Sequence, residues 1–229
     1  MKSCRAVVFD LDDTLYPERD FVLGGFRAAA RWAEAHLGLE ANEGYLDLCR
    51  LYQSGVRGDT FDRWIGGQGL DCGAIVPRLV HVYREHHPSL EPYPGVRELL
   101  ERIRLVHRVG LLSDGFLSVQ RRKLEALGIG PLFDAIVFSD EWGRDAWKPS
   151  TRPYVAVLQQ LKVPAGSAIY VADNPRKDFL GARQIGMQTI QVRRPGGEYA
   201  FASPPTADHA ADVVVEDLED LCWLRGGRS

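Results

Sequence analysis

Apolar residues recur along this chain in two rhythms. Short continuous runs (RAVVF at Arg5–Phe9, VGLL at Val109–Leu112, AIVF at Ala135–Phe138, AIYVA at Ala168–Ala172) read as strands buried on both faces. Thr189–Val192 and Val213–Val215 are weaker fifth and sixth candidates. Between them, VRELLERIRLVH, VQRRKLEALG and RPYVAVLQQL space their apolar residues three or four apart, which predicts amphipathic helices. Strands alternating with helices of this length predict an α/β fold with a parallel sheet and right-handed crossovers.

One segment breaks the alternation. From Tyr16 to Tyr93 no strand pattern is evident. FVLGGFRAAARWAEAHLG, EGYLDLCRLYQ and AIVPRLVHVYREHH read as helices, separated by breaks containing Gly and Asp. The alternating pattern returns at PYPGVRELL, where Pro94 suits a helix start. The expected organisation is a core of residues 1–15 and 94–229 with a helical insert of residues 16–93 placed just after the first strand. Ligands bind at the carboxyl ends of parallel strands, so an insert there is well placed to cover a site. In the tail, RRPGGEYAFASPPTADHA reads as exposed connection. EDLEDLCWL reads as a short terminal helix packing Leu218, Leu221 and Trp223.

The chain has 229 residues, 45% hydrophobic and 26% charged, as expected of a globular protein. Its formal net charge of −3 gives no global basic field for nucleic acid or an anionic membrane. No apolar run approaches a membrane span, and the first strand begins too early to leave room for a signal peptide. Cys4, Cys49, Cys72 and Cys222 are scattered, without a CxxC pair or zinc spacing. The expectation is a cytoplasmic protein with four reduced, buried thiols.

Candidate chemistry gathers where strands end. Asp10 and Asp12 follow the first strand two positions apart, so both side chains point to one side if the extended backbone persists. One such carboxylate can attack while the other moves a proton, and their repulsion favours a hard divalent cation beside them. An Asp-rich turn after a strand is the plainer reading. Ser113, Asp114 and Gly115 end the second strand, where a hydroxyl and successive N–H groups can hold a phosphate; helix capping is the plain alternative. Lys148 precedes Pro149, which biases it to an extended backbone, though a lone lysine is usually a solvated one. Asp173 and Asp178 bring carboxylates to the end of the fourth strand, enough to complete an oxygen-rich metal site with Asp10 and Asp12.

DLDDT (Asp10–Thr14), SD (Ser113–Asp114), KP (Lys148–Pro149) and DNPRKD (Asp173–Asp178), in that order, resemble the four motifs of the haloacid dehalogenase superfamily over nearly the whole chain. The resemblance implies a Rossmann-like three-layer α/β/α core with a parallel sheet and an inserted helical cap of the C1 type. It implies Asp10 as the nucleophile that becomes an aspartyl-phosphate, and Asp12 as general acid and then base. It implies Mg²⁺ held by Asp10, Asp173 and the Asp12 carbonyl. Ser113 and the Asp114 N–H would bind phosphoryl oxygens, and Lys148 would offset charge near Asp10. Asp178 would hold a metal water or orient Lys148, Thr14 would support the motif loop, and Asp13 would be a loop residue.

Among the activities of that superfamily, the dehalogenases lack the second aspartate of DLDDT. Its phosphonate hydrolases need a lysine in the cap, and residues 16–93 contain none. Hydrolysis of a small phosphorylated metabolite, a sugar phosphate or nucleotide monophosphate, is the expected activity. A phosphomutase or a non-catalytic binding protein on the same fold are the alternatives. Two departures from the family stand out: Asp114 where Asn is common, which would repel phosphate unless its carboxylate turns away, and Ala172 where Gly is usual. For substrate selection the candidates are Arg57, Arg63 and Trp64, in QSGVRGDTFDRWIGG, the most loop-like stretch of the insert. Surface arginines and a core tryptophan are the plain alternative. His81, His86 and His87 read as a solvated helix end. Oligomeric state is not legible.

Overall fold

The computed structural model describes residues 4–224, and side chains as far as Leu221. Cys222 and Trp223, expected to be buried, lie outside the described side chains. The chain divides into two compact units, one of Met1–Glu18 with Leu90–Ser229 and one of Arg19–Ser89.

The first unit is built on six strands: β1 (Ala6–Phe9), β2 (Arg108–Ser113), β3 (Ala135–Phe138), β4 (Ala168–Ala172), β5 (Gln188–Val192) and β6 (Val213–Val215). They form one parallel sheet in the order β3-β2-β1-β4-β5-β6, as an α/β, Rossmann-like fold requires. β1 is central and wholly buried, which is why it reads as an unbroken apolar run. The strand order reverses between β1 and β4, whose residues pair in register from Ala6 with Ala168 to Phe9 with Val171. Ligands bind at such a reversal, beyond the carboxyl ends of the strands. Asp10 and Asp173 are the residues that immediately follow those two ends.

Helices α5 (Val96–Arg104), α6 (Leu117–Leu127), α7 (Arg152–Leu161) and α8 (Asp178–Gln184) complete the crossovers. On α7, Tyr154, Val157, Leu158 and Leu161 recur at helical spacing and pack with Val8, Leu112 and Tyr170 of the sheet. Each such side chain, fully buried, contributes about 1.5–3 kcal/mol. The short 3-10 helix Leu218–Leu224 buries Leu218 and Leu221, as its spacing predicts. The loop before it is not wholly exposed, because Arg194 is buried.

The second unit holds α1 (Glu18–Leu37, which begins in the first), α2 (Ala41–Gln53), α3 (Thr60–Gly67) and α4 (Cys72–Glu85). Its core is Phe26, Ala29, Ala33, Leu48, Phe61, Trp64, Ile65 and Leu79. Two expectations are corrected. QSGVRGDTFDRWIGG is not mainly loop: Phe61, Trp64 and Ile65, spaced i, i+3, i+4, give α3 a buried face that the surrounding glycines disguise. His86 is not solvated. It ends α4 buried, with its ring 4.6 Å from Phe21 and Nδ1 2.7 Å from the Tyr83 carbonyl, whereas His81 and His87 are exposed. Cys4, Cys49 and Cys72 are free, as expected, but half-buried rather than buried. No helix among the described residues is long and apolar enough to cross a membrane.

Candidate active site

Each chemical group is delivered by a backbone that the sheet holds. Asp10 leaves β1 with its N–H donating to the Val171 carbonyl of β4 at 2.9 Å. Its carboxylate accepts from Lys148 Nζ at 2.5 Å. The same ammonium donates to Asp178 Oδ1 at 2.8 Å and to the Tyr170 hydroxyl at 2.9 Å, and its side chain is 0% exposed. Asp178 begins α8; its second oxygen accepts the Asn174 N–H at 3.0 Å, and its carbonyl accepts the Tyr154 hydroxyl at 2.7 Å. Gly181, one turn on, lets α8 approach this closely: a Cβ there would lie 2.4 Å from the Pro149 carbonyl oxygen.

Asp10, Asp173 and Asp178 are all buried and offer carboxylate oxygens within 4.8 Å of one another. Burial raises Asp10 to about 7, against the pull of Lys148 and with the push of Asp178. Burial, then Asp178 and Asp10, hold Asp173 well above the ordinary carboxylate value. Burial would discharge Lys148, but Asp10 and Asp178 raise it further and keep it cationic. Three clustered acids, two of them on one buried ammonium, offer more hard oxygen donors than that cation engages. That donor set fits a hard divalent cation.

Asp12 does not share these partners. Its carboxylate accepts from the Tyr16 hydroxyl at 2.5 Å, Lys123 Nζ at 2.7 Å and Gln120 Nε2 at 3.2 Å. Burial alone would raise it, but Lys123 and Tyr16 prevail and hold it below the ordinary value. Asp12 is therefore brought near Asp10 by sequence but held by a separate set of donors. Ser113 is buried and donates from Oγ to Gln120 Oε1 at 2.9 Å. The Asp114 carboxylate is taken up by Ser139 Oγ at 2.5 Å, the Lys148 N–H at 3.0 Å and Lys177 Nζ at 3.4 Å. Burial is outweighed there by Lys148 and Lys177, so Asp114 stays ionised and its charge is compensated. Thr14 is buried with its carbonyl 3.4 Å from Arg194 Nε, and its hydroxyl makes no hydrogen bond. Asp13 has φ 52 and accepts the N–H groups of Glu18 at 2.9 Å and Glu198 at 3.0 Å, clipping three segments together.

The three candidates for substrate selection lie in the helical unit. Trp64 is 3% exposed in its core. Arg63 is exposed and paired with Asp59 at 2.8 Å. Arg57 lies 3.8 Å over the Tyr52 ring and donates to the Tyr52 and Val56 carbonyls. Sequence reasoning missed Tyr16, Glu18, Gln120, Lys123, Tyr170 and Lys177. A signal existed for two of them: Gln120 and Lys123 fall on the buried stripe of α6, with Val119, Leu124 and Leu127.

Residues 7–192 match the family model of haloacid dehalogenase-like hydrolases, and the chain belongs to that family. It is 32% identical to the glyceraldehyde 3-phosphate phosphatase of Methanopyrus kandleri, over 95% of each chain. It is 28% identical to the ribulose-1,5-bisphosphate 5-phosphatase of Halopiger xanaduensis, over 94% of this chain and 98% of that one. These relatives support a phosphate-monoester hydrolase. In fold the chain is similar to the magnesium-bound HAD-hydrolase YfnB of Bacillus subtilis, with a TM-score of 0.70 and 18% identity over 99% of this chain and 100% of that one.

Proposed function

We propose that this protein is a Mg²⁺-dependent phosphatase that hydrolyses a small phosphorylated metabolite, a sugar phosphate or nucleotide monophosphate, through an aspartyl-phosphate on Asp10. The observation that carries the reading is the buried contact of Lys148 with both Asp10 and Asp178, beside Asp173, at the reversal of the sheet. Asp10, Asp173 and the Asp12 carbonyl would hold Mg²⁺, which when bound offsets the charge of the phosphoryl group and of the acids around it.

An Asp10 carboxylate oxygen attacks phosphorus and the ester P–O bond breaks, its electron pair leaving with the alcohol oxygen. Asp12, ionised in the resting site, takes up the proton of the ester bound as its monoanion and gives it to that oxygen. Asp12 then takes a proton from water as the water oxygen attacks phosphorus, and the bond to Asp10 breaks to release phosphate. Lys148 offsets the repulsion between Asp10 and the incoming phosphate, and Asp178 keeps its ammonium in place. Ser113 and the Asp114 N–H bind phosphoryl oxygens. Thr14 supports the loop, and the helical unit serves as a cap. Asp114 is compatible with this role because its carboxylate is engaged by Ser139, Lys148 and Lys177.

Release of phosphate from a panel of phosphorylated sugars and nucleoside monophosphates tests the reading. Activity is expected with Mg²⁺ and lost with EDTA. Turnover persisting in Asp10→Asn would overturn the nucleophile.

A further inference from the structure

Lys123 is a buried cation of α6 that the reaction above does not use. It donates to Asp12 at 2.7 Å and to Glu18 at 3.2 Å. A buried ammonium needs a partner, and Glu18 would suffice for that alone. Its shorter contact is with the carboxylate that carries the acid–base role. Three residues earlier on the same face, Gln120 accepts from Ser113 Oγ and donates to Asp12 Oδ2. One amide thus links the hydroxyl of the second motif to the second aspartate of the first. The backbone makes room for it: Gly115 has φ +125, and a Cβ there would lie 2.8 Å from Gln120 Nε2.

We propose that Lys123 and Gln120 are positioning residues for Asp12, which together with Tyr16 fix where its carboxylate meets the departing oxygen and set that position relative to Ser113. The inference rests on the acid–base role given to Asp12 above. A carboxylate on a loop has rotamers to choose from. Proton transfer needs it within hydrogen-bond reach of one oxygen, and a small misplacement is costly. Donors to both carboxylate oxygens remove that freedom. All three residues sit on elements anchored in the same α/β unit, so the constraint is built into that unit's fold.

The test compares p-nitrophenyl phosphate with phenyl phosphate, whose leaving groups differ in basicity but little in shape. In Lys123→Met and in Gln120→Met, kcat for phenyl phosphate is expected to fall about tenfold or more. For p-nitrophenyl phosphate it should change less than about threefold, with KM for both within about twofold. Asp12→Asn should show the same split more strongly. An equal loss on both substrates, or no loss in either variant, would overturn the positioning role. Gln120→Met removes no charge and decides by the same criterion if Lys123→Met does not fold. If Asp12→Asn shows no split, the acid–base reading fails and takes this inference with it. A split in Asp12→Asn without one in the α6 variants leaves that reading standing and removes the inference alone.

Discussion

The α/β unit buries its charges against one another, whereas the helical unit keeps its charges outside and buries rings. Asp10, Asp13, Asp114, Lys123, Lys148, Asp173, Asp178 and Arg194 are all buried in the first unit. In the second, the ion pairs Arg50–Asp47 and Arg63–Asp59 are solvent-exposed, and Phe26, Phe61 and Tyr83 form an edge-on and tilted aromatic cluster. Burying charges opposes folding unless each finds a partner. A fold that accepts this beside its parallel sheet gains fixed, buried charges of the kind phosphoryl transfer uses. The helical unit shows what packing alone produces from a similar supply of arginine and aromatic residues.

The sharpest way to break the comparison is Asp10→Asn. It should cost more than about a thousandfold in phosphate release at nearly unchanged helicity, read by phosphate assay and circular dichroism. In the helical unit the largest effect should be on stability instead: Trp64→Ala is expected to cost about 3–5 kcal/mol in denaturant melts. Lys148→Met, which leaves Asp10 and Asp178 without their shared cation, should cost about 3 kcal/mol near neutral pH, and less in acid, where Asp10 is protonated; equal losses at both pH values would argue against the ion-pair account.

A smaller effect is linked to pH. In the metal-free protein, Asp10 (at about 7) and Asp173 keep protons that the unfolded chain releases near pH 4. Stability should therefore fall as pH rises through that window. Mg²⁺ needs the ionised forms, so the rise in Tm that it gives should be larger near pH 8 than near pH 5.5. The smallest expected effect is that of Arg63→Ala. Its exposed pair with Asp59 should contribute less than about 0.5 kcal/mol, and KM should hold within about twofold. A tenfold rise in KM would instead place Arg63 at the substrate and blur the contrast between the units.

Much of the α/β unit was legible because a strand buried on both faces must be apolar throughout, so AVVF or AIYVA stands out from its surroundings. Asp10, Asp114 and Asp173 were legible for the related reason that they directly follow such runs at one side of the sheet, whereas Lys148 stood out only through the order of the four motifs. Their partners were not. Gln120 and Lys123 look like solvent-facing residues of an amphipathic helix, and only their place on the apolar stripe of α6 betrays them. The helix α3 was hidden by the glycines around it, and the burial of His86 by its neighbour His87, which is exposed. Asp12 takes one donor from Tyr16, four positions on, and two from α6, and no local pattern encodes the pairing with α6.

The bond from the Asp10 N–H to Val171 also bears on how the protein comes into being. It joins residues at opposite ends of most of the chain, and the Lys148–Asp10 contact spans 138 positions. Contacts of such long range form late and slowly, after the loops between them have been closed. A ribosome must release both β1 and β4 before the site can assemble, and a chain truncated before Asp173 would carry DLDDT without the acids that cluster with Asp10. Phosphatase activity, if found, would thus double as a reporter of complete folding, lost in misassembled chains that still show native helix content.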